Sequence, residues 1–332
     1  MNPISPEPSS ILEIRGMTKY FPVGVLNRTR QVHAVEDVSF TVRRGQVVAL
    51  VGESGSGKTT TIRMIARLIP VTRGEILFKG QDILKAEPRQ ASLEYRHQVQ
   101  LIFQDPFASL NAVHTIEHHL ARPLIIHGKA SGRQELHDRV CDLLETVELK
   151  PSPEIAARYP HQLSGGQRQR VSIARALAVD PELILADEPI SMLDVSIRMG
   201  VLNLIGRLKE QRGISFVYIT HDLASARYIG DQIMVMYAGH MVEGGDSETV
   251  MSEAAHPYTQ LLLAAVPNPH AGLKTDAQLQ ARGEVPSLID PPPGCPFAAR
   301  CTRVMDVCRQ VMPEPLTVRP GHWVRCHLYG KM

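Results

Sequence analysis

The chain has 332 residues, 43% of them hydrophobic and 21% charged, enough for one large α/β domain with an appendage or two modest domains. Its 36 Lys and Arg nearly balance 34 Asp and Glu, and the net charge of +2 gives no basic surface for wrapping nucleic acid. No apolar run nears the roughly 18 residues of a membrane helix, and Met1–Pro8 lacks the basic-then-apolar order of a signal peptide, so a soluble or peripheral cytosolic protein is expected.

Residues 1–10 read as a disordered tail. From residue 11 to 246, short apolar runs alternate with helical patterns, the mark of an α/β domain built on a parallel or mixed sheet. Near its start, Tyr20 and Phe21 precede a stretch, Leu26–Val32, that resembles a hairpin insert. The apolar run Val47–Val51 predicts a buried strand that enters Gly52-Glu53-Ser54-Gly55-Ser56-Gly57-Lys58-Thr59-Thr60, a G-x-x-x-x-G-K-[ST] phosphate loop. Glycines let successive backbone N–H groups turn inward onto phosphate oxygens. Lys58 places a positive charge on the β- and γ-phosphates, and the Thr59 hydroxyl suits Mg²⁺. The helix expected next shows an apolar face at Ile62, Ile65, Ala66 and Ile69, and its N-terminus favours a bound anion. Gly52, Ser54, Gly55, Gly57, Lys58, Thr59 and Thr60 are therefore candidate ATP ligands. A Gly-Ser turn that merely contains a lysine is the bland alternative, and the flanking strand and helix disfavour it.

Further on, Val99–Phe103 predicts a strand followed by Gln104. Between about 105 and 181 the strand signal gives way to helical patterns, including Leu136–Leu149 and Gln167–Val179, which predict a helical insertion. Strands are expected again at Leu183–Ala186 and Ile214–Ile219, followed by Asp187 and His221. Strand ends are where parallel sheets bind ligands. An isolated Asp-Glu pair is more often an exposed helix start. Here an apolar strand delivers Asp187 to hold Mg²⁺ and Glu188 to deprotonate an attacking water. Beyond 247, a short helix at Tyr258–Ala265 precedes a Pro-rich, loop-like tail carrying Cys295, Cys301, Cys308 and Cys326.

Pro160-His161-Gln162-Leu163-Ser164-Gly165-Gly166-Gln167-Arg168-Gln169-Arg170 resembles the signature sequence of ABC ATPases. The resemblance implies a P-loop ABC cassette: a mixed sheet core, an antiparallel β subdomain and a helical subdomain, with a short cysteine-containing C-terminal extension. It implies that Ser164, Gly165, Gly166 and Gln167 bind the γ-phosphate of ATP held by a second cassette in a head-to-tail dimer. Gln104 resembles the Q-loop residue that reaches Mg²⁺ and the attacking water, and His221 the switch histidine on the γ-phosphate. Ser191-Met192-Leu193-Asp194 resembles the D-loop, with Asp194 at the dimer interface, although the family more often has a small residue where Met192 stands. An aromatic side chain should stack on adenine, and spacing favours Phe21, with Tyr20 as fallback and core packing as the alternative for either.

His256-Pro257-Tyr258-Thr259-Gln260-Leu261-Leu262 and the cysteine tail resemble the C-terminal extension of the oligopeptide/dipeptide/nickel permease group of ABC importers. That resemblance implies an ATPase at the cytoplasmic face of the cell membrane, with a second, often related, ATPase subunit, two transmembrane permease subunits and an extracytoplasmic substrate-binding protein. No nucleic-acid partner is expected. The group serves oligopeptides, dipeptides, nickel and oligosaccharides, and peptides are favoured on group membership alone. An ABC ATPase of DNA repair or translation is disfavoured: there is one cassette, and no heptad tract separates Lys58 from Asp187. The cysteine spacing permits a [4Fe–4S] cluster, zinc or free thiols, and lacks the short C-x-x-C knuckles typical of zinc. The resemblance favours the [4Fe–4S] cluster. Cys141, on a helical pattern, reads as packing.

Overall fold

In the computed structural model, residues 10–24, 30–265 and 286–330 are described. The expected tail, except Ser10, and residues 26–29 of the expected insert lie outside them. Strands follow in chain order as β1 (Ser10–Val23), β2 (Arg30–Arg43), β3 (Val47–Val51), β4 (Arg73–Phe78), β5 (Gln81–Asp82), β6 (Val99–Ile102), β7 (Leu183–Asp187), β8 (Ser215–Thr220), β9 (Gln232–Tyr237), β10 (His240–Asp246), β11 (Leu316–Arg319) and β12 (His322–Val324). The chain divides into two compact units. The first comprises Met1–Arg43, Val47–Pro88 and Thr220–Met332, and the second Arg44–Gln46 and Arg89–Ile219.

In the first unit, β1 pairs antiparallel with both β2 and β4, and β4 with β5. Leu12, Ile14 and Met17 of β1 are buried along with Val35, Val38 and Val42 of β2, the half-buried pattern expected of an antiparallel sheet. By contrast, all five residues of β3 are fully buried, which fits a strand covered on both faces. β3 runs parallel to β9, and β9 turns back into antiparallel β10, so this sheet is mixed. The tail expected to be loop-like adds two strands: β12 pairs with β10 and β11 with β12. Near Ile289 it also bridges to Val32, where the Asp290 carboxylate accepts from Arg30 Nε and the Gln31 N–H, each at 3.0 Å.

A buried carboxylate organises this tail. Glu243, fully buried in β10, accepts from the backbone N–H groups of Ala255 (2.7 Å) and His256 (2.9 Å) and lies 2.7 Å from His322 Nε2. A charge in that position persists only when its lone pairs are satisfied. His256 caps the helix Pro257–Ala264, its Nδ1 accepting from the Tyr258 N–H at 3.0 Å.

The second unit orders β6, β7 and β8 in parallel, with β7 in the middle. Helices Ile116–Ile126, Arg133–Thr146, Ser152–Ala157 and Gly165–Leu177 occupy the expected helical insertion, and Val140, Leu144, Ile155 and Val171 are buried there. Cys141 is partly buried on the second of these helices, 3.7 Å from His137 Nε2. Among the described residues no helix is long and apolar enough to cross a membrane.

Burial pushes the imidazoles of His256 and His240 down to about 4 from the ordinary 6.5. The unfolded chain therefore binds more protons than the folded one between those values, and stability falls as pH drops through that window. Denaturant titrations across the window are expected to show this loss, and His256→Asn is expected to remove part of it. Stability that stays flat across the window contradicts the burial account.

Candidate nucleotide-binding site

In the first unit the loop between β3 and the helix Lys58–Ile65 is built on glycines with positive φ: 154° at Gly52, 78° at Gly55 and 102° at Gly57. At Gly57 a side chain is excluded twice over, because a Cβ would also lie 2.5 Å from the Ala34 carbonyl oxygen. Lys58 is buried, and its amine donates to the carbonyls of Gly52 (2.7 Å) and Glu53 (2.9 Å), closing the loop into a ring. Ser54 and Gly55 are exposed on the loop's crest, and Thr59 and Thr60 are half-buried in the first helical turn. The helix is shorter than its apolar pattern suggests. It ends at Ile65, because Arg67 adopts a left-handed conformation (φ 58°) and the chain turns before Ile69.

Glu53 carries three contacts that the sequence did not disclose. Its N–H donates to the Tyr258 hydroxyl at 2.8 Å, and its carboxylate takes Nη1 and Nη2 of Arg300 at 2.8 and 3.1 Å. Partners 205 and 247 positions away leave no local signal in a sequence.

His221 is exposed between β8 and the helix Leu223–Ile229. Phe21 keeps an exposed ring on β1, with the Lys19 ammonium 4.8 Å from its centroid. Tyr20 is engaged elsewhere: its hydroxyl donates to Glu36 at 2.5 Å and accepts from Arg73 at 2.8 Å, and its ring packs on His33.

In the second unit Asp187 is buried as the last residue of β7, and Glu188 follows with φ 43°. The Glu188 N–H donates to the Ile219 carbonyl, and Gln104 Nε2 donates to its carboxylate at 3.2 Å. The structure thus brings Gln104 and Glu188 together from two strand ends. Strain of this kind concentrates at functional positions. Ser164 caps the helix Gly165–Leu177 in a reciprocal box: the Gln167 N–H donates to Ser164 Oγ, and the Ser164 N–H to Gln167 Oε1. At Gly166 a Cβ would meet Ile197 Cγ2 at 2.5 Å, so the helix start packs tightly there. Asp194 is the exposed N-cap residue of the helix Val195–Arg212, and Met192 is exposed beside it.

The cysteine tail corrects the sequence expectation. Among the described residues, no group of three or more His, Cys, Asp or Glu is placed to hold a metal ion, so neither the expected [4Fe–4S] cluster nor zinc is supported at Cys295, Cys301, Cys308 and Cys326. All four are free thiols around an apolar cavity of about 20 Å³, room for about one water. Burial pushes the Cys295 thiol up to about 12 and raises those of Cys301 and Cys326.

The profile of the ABC transporter family matches residues 35–191, and that of the oligopeptide/dipeptide transporter C-terminal region matches residues 242–308. The chain is 44% identical, over 97% of its length, to the oligopeptide transport ATP-binding protein AppF of Bacillus subtilis, and spans 98% of that protein. The chain belongs to the ABC transporter ATP-binding proteins. It is 41% identical to the dipeptide transport ATP-binding protein DppF of Haemophilus influenzae, covering 96% of this chain and 97% of that one. A solved dimeric structure of MJ0796, a bacterial ABC transporter cassette, superposes with a TM-score of 0.62 at 30% identity, over 71% of this chain and 98% of that one. The expected ABC cassette fold is therefore present, and the cassette is an ATP-hydrolysing enzyme of a transporter.

Gly57→Ala is expected to cost about 2 kcal/mol of stability and to abolish nucleotide binding, read by thermal unfolding and by a fluorescent ATP analogue. Unchanged binding contradicts the requirement for the left-handed loop.

Proposed function

We propose that this cassette powers the import of oligopeptides or dipeptides through a membrane permease. The observation that carries the cargo class is the match of residues 242–308 to the C-terminal region of oligopeptide/dipeptide transporters. Two relatives that the chain covers almost end to end are named for oligopeptide and dipeptide transport, which supports the same reading.

In this proposal, Gly52, Ser54, Gly55, Gly57, Lys58 and Thr60 receive the phosphates of ATP, and Thr59, Gln104 and Asp187 serve Mg²⁺. Phe21 stacks on adenine, and its exposed ring supports this assignment over Tyr20. Glu188 is the general base for water and Gln104 orients it, a division of labour supported by their hydrogen bond and by the strained backbone of Glu188. His221 donates to the γ-phosphate. Ser164, Gly165, Gly166 and Gln167 at the signature helix receive the ATP of a second cassette, and Asp194 lies at that interface. The solved relatives' dimeric state is consistent with such a pairing. Two permease subunits and an extracytoplasmic substrate-binding protein complete the machine, which places this chain peripherally on the cytoplasmic face of the membrane.

Glu188→Gln is expected to lower ATP turnover by about 100-fold or more while ATP binding is retained, measured on the assembled complex. Near-normal turnover removes Glu188 from the general-base role. In cells carrying only that variant, uptake of a labelled tripeptide is expected to stop. Unaltered peptide uptake with loss of nickel or oligosaccharide uptake reassigns the cargo.

A further inference from the structure

Every polar group of Glu53 is engaged, and two of its partners come from the C-terminal extension. Its carbonyl accepts from Lys58, its N–H donates to the Tyr258 hydroxyl, and both carboxylate oxygens take Arg300. The ion pair is sheltered, with the Arg300 side chain 11% exposed and that of Glu53 29%. Aromatic faces fix the guanidinium in place: it lies 5.6 Å from the Tyr237 ring and 5.8 Å from Phe297, and Nη1 also donates to the Tyr237 hydroxyl at 3.3 Å. Tyr237, Tyr258 and Phe297 pack on one another, ring centroids 4.5 to 5.5 Å apart, and all three are buried. This arrangement is rigid and bidentate, the kind in which Arg cannot be replaced by Lys without loss.

A carboxylate beside a phosphate loop is an electrostatic liability, since ATP brings several negative charges to the loop. An arginine locked across both oxygens cancels that repulsion, and the Tyr258 hydroxyl fixes the peptide plane between Gly52 and Glu53. We propose that Arg300 and Tyr258 are positioning residues for the nucleotide, through which the C-terminal extension holds Glu53 and presets the phosphate loop for ATP. The proposal rests on the reading of residues 52–60 as the phosphate loop. It gives the extension a task in nucleotide affinity in addition to any role in cargo class.

The test is the affinity of the full-length chain for a fluorescent ATP analogue with Mg²⁺, alongside ATP turnover of the assembled complex. Arg300→Ala is expected to weaken binding and raise KM for ATP roughly tenfold, with kcat at saturating ATP retained. Arg300→Lys, which keeps the charge and loses the fork, is expected to fall between. Adding Glu53→Gln to Arg300→Ala removes the unpaired carboxylate and is expected to restore most of the affinity. A role confined to folding of the extension lowers thermal stability without that recovery. Wild-type affinity in Arg300→Ala overturns the proposal, and so does an equal loss in the single and double variants. Tyr258→Phe keeps the ring packed and removes only the acceptor, so it serves even if Arg300→Ala does not fold. Its expected result is several-fold weaker binding, and unaltered binding overturns the proposal. Lys58→Ala separates the two readings: if it binds the analogue as the wild type does, the phosphate-loop reading fails rather than the clamp.

Discussion

The ring closed by Lys58, whose amine donates to the carbonyls of Gly52 and Glu53, is the constraint on which the proposed nucleotide chemistry depends. It exists because β3 is buried on both faces and holds its end rigidly, and because glycines allow a backbone path closed to residues with a Cβ. That path leads directly into the start of the helix Lys58–Ile65, and a helix N-terminus favours an anion. The lysine is held in the loop by its own carbonyls instead of being recruited from a mobile surface conformer.

A line of buried polar contacts connects the C-terminal tail to this ring. Glu243 in β10 gathers the N–H groups of Ala255 and His256 and the ring of His322. His256 caps the helix that carries Tyr258, and Tyr258 reaches Glu53. Glu243, His256 and Tyr258 are each buried and hydrogen-bonded, and such groups specify one arrangement more sharply than apolar packing does, whereas His322 Nδ1 is buried without a protein partner. The segment His256-Pro257-Tyr258 is thus a physical bridge from the sheet to the phosphate loop as well as a mark of kinship.

The glycine-rich loop and the strand-end carboxylates were legible in the sequence because each is encoded within about a dozen residues, whereas the signature segment was reached through its family resemblance and its Ser164–Gln167 capping box only through the structure. Alternating apolar runs indicated a parallel or mixed sheet with a stretch of helical pattern inside it, and it was the family resemblance that implied a mixed one. Arg300 was not legible, since its partner lies 247 positions away and nothing near it marks the contact. Strands β11 and β12 were missed in a Pro-rich stretch, where pairing to β10 overrides weak local propensity. The cysteine expectation failed for a different reason. Spacing and resemblance count thiols, but whether their side chains converge on one point is set by the tertiary structure, and among the described residues no group of three or more His, Cys, Asp or Glu is placed to hold a metal ion. Spacing already favours Phe21 over Tyr20, and the fold adds support for that proposal by tying Tyr20 to Glu36 and Arg73.

The most direct measurement of the central claim is ATP hydrolysis by the cassette assembled with its permease in a bilayer, with the substrate-binding protein empty or loaded with peptide. The account requires turnover to rise when the peptide-loaded form is added and to stay basal with the empty form. Turnover indifferent to the peptide-loaded form, in a complex that responds to a different loaded cargo, contradicts it.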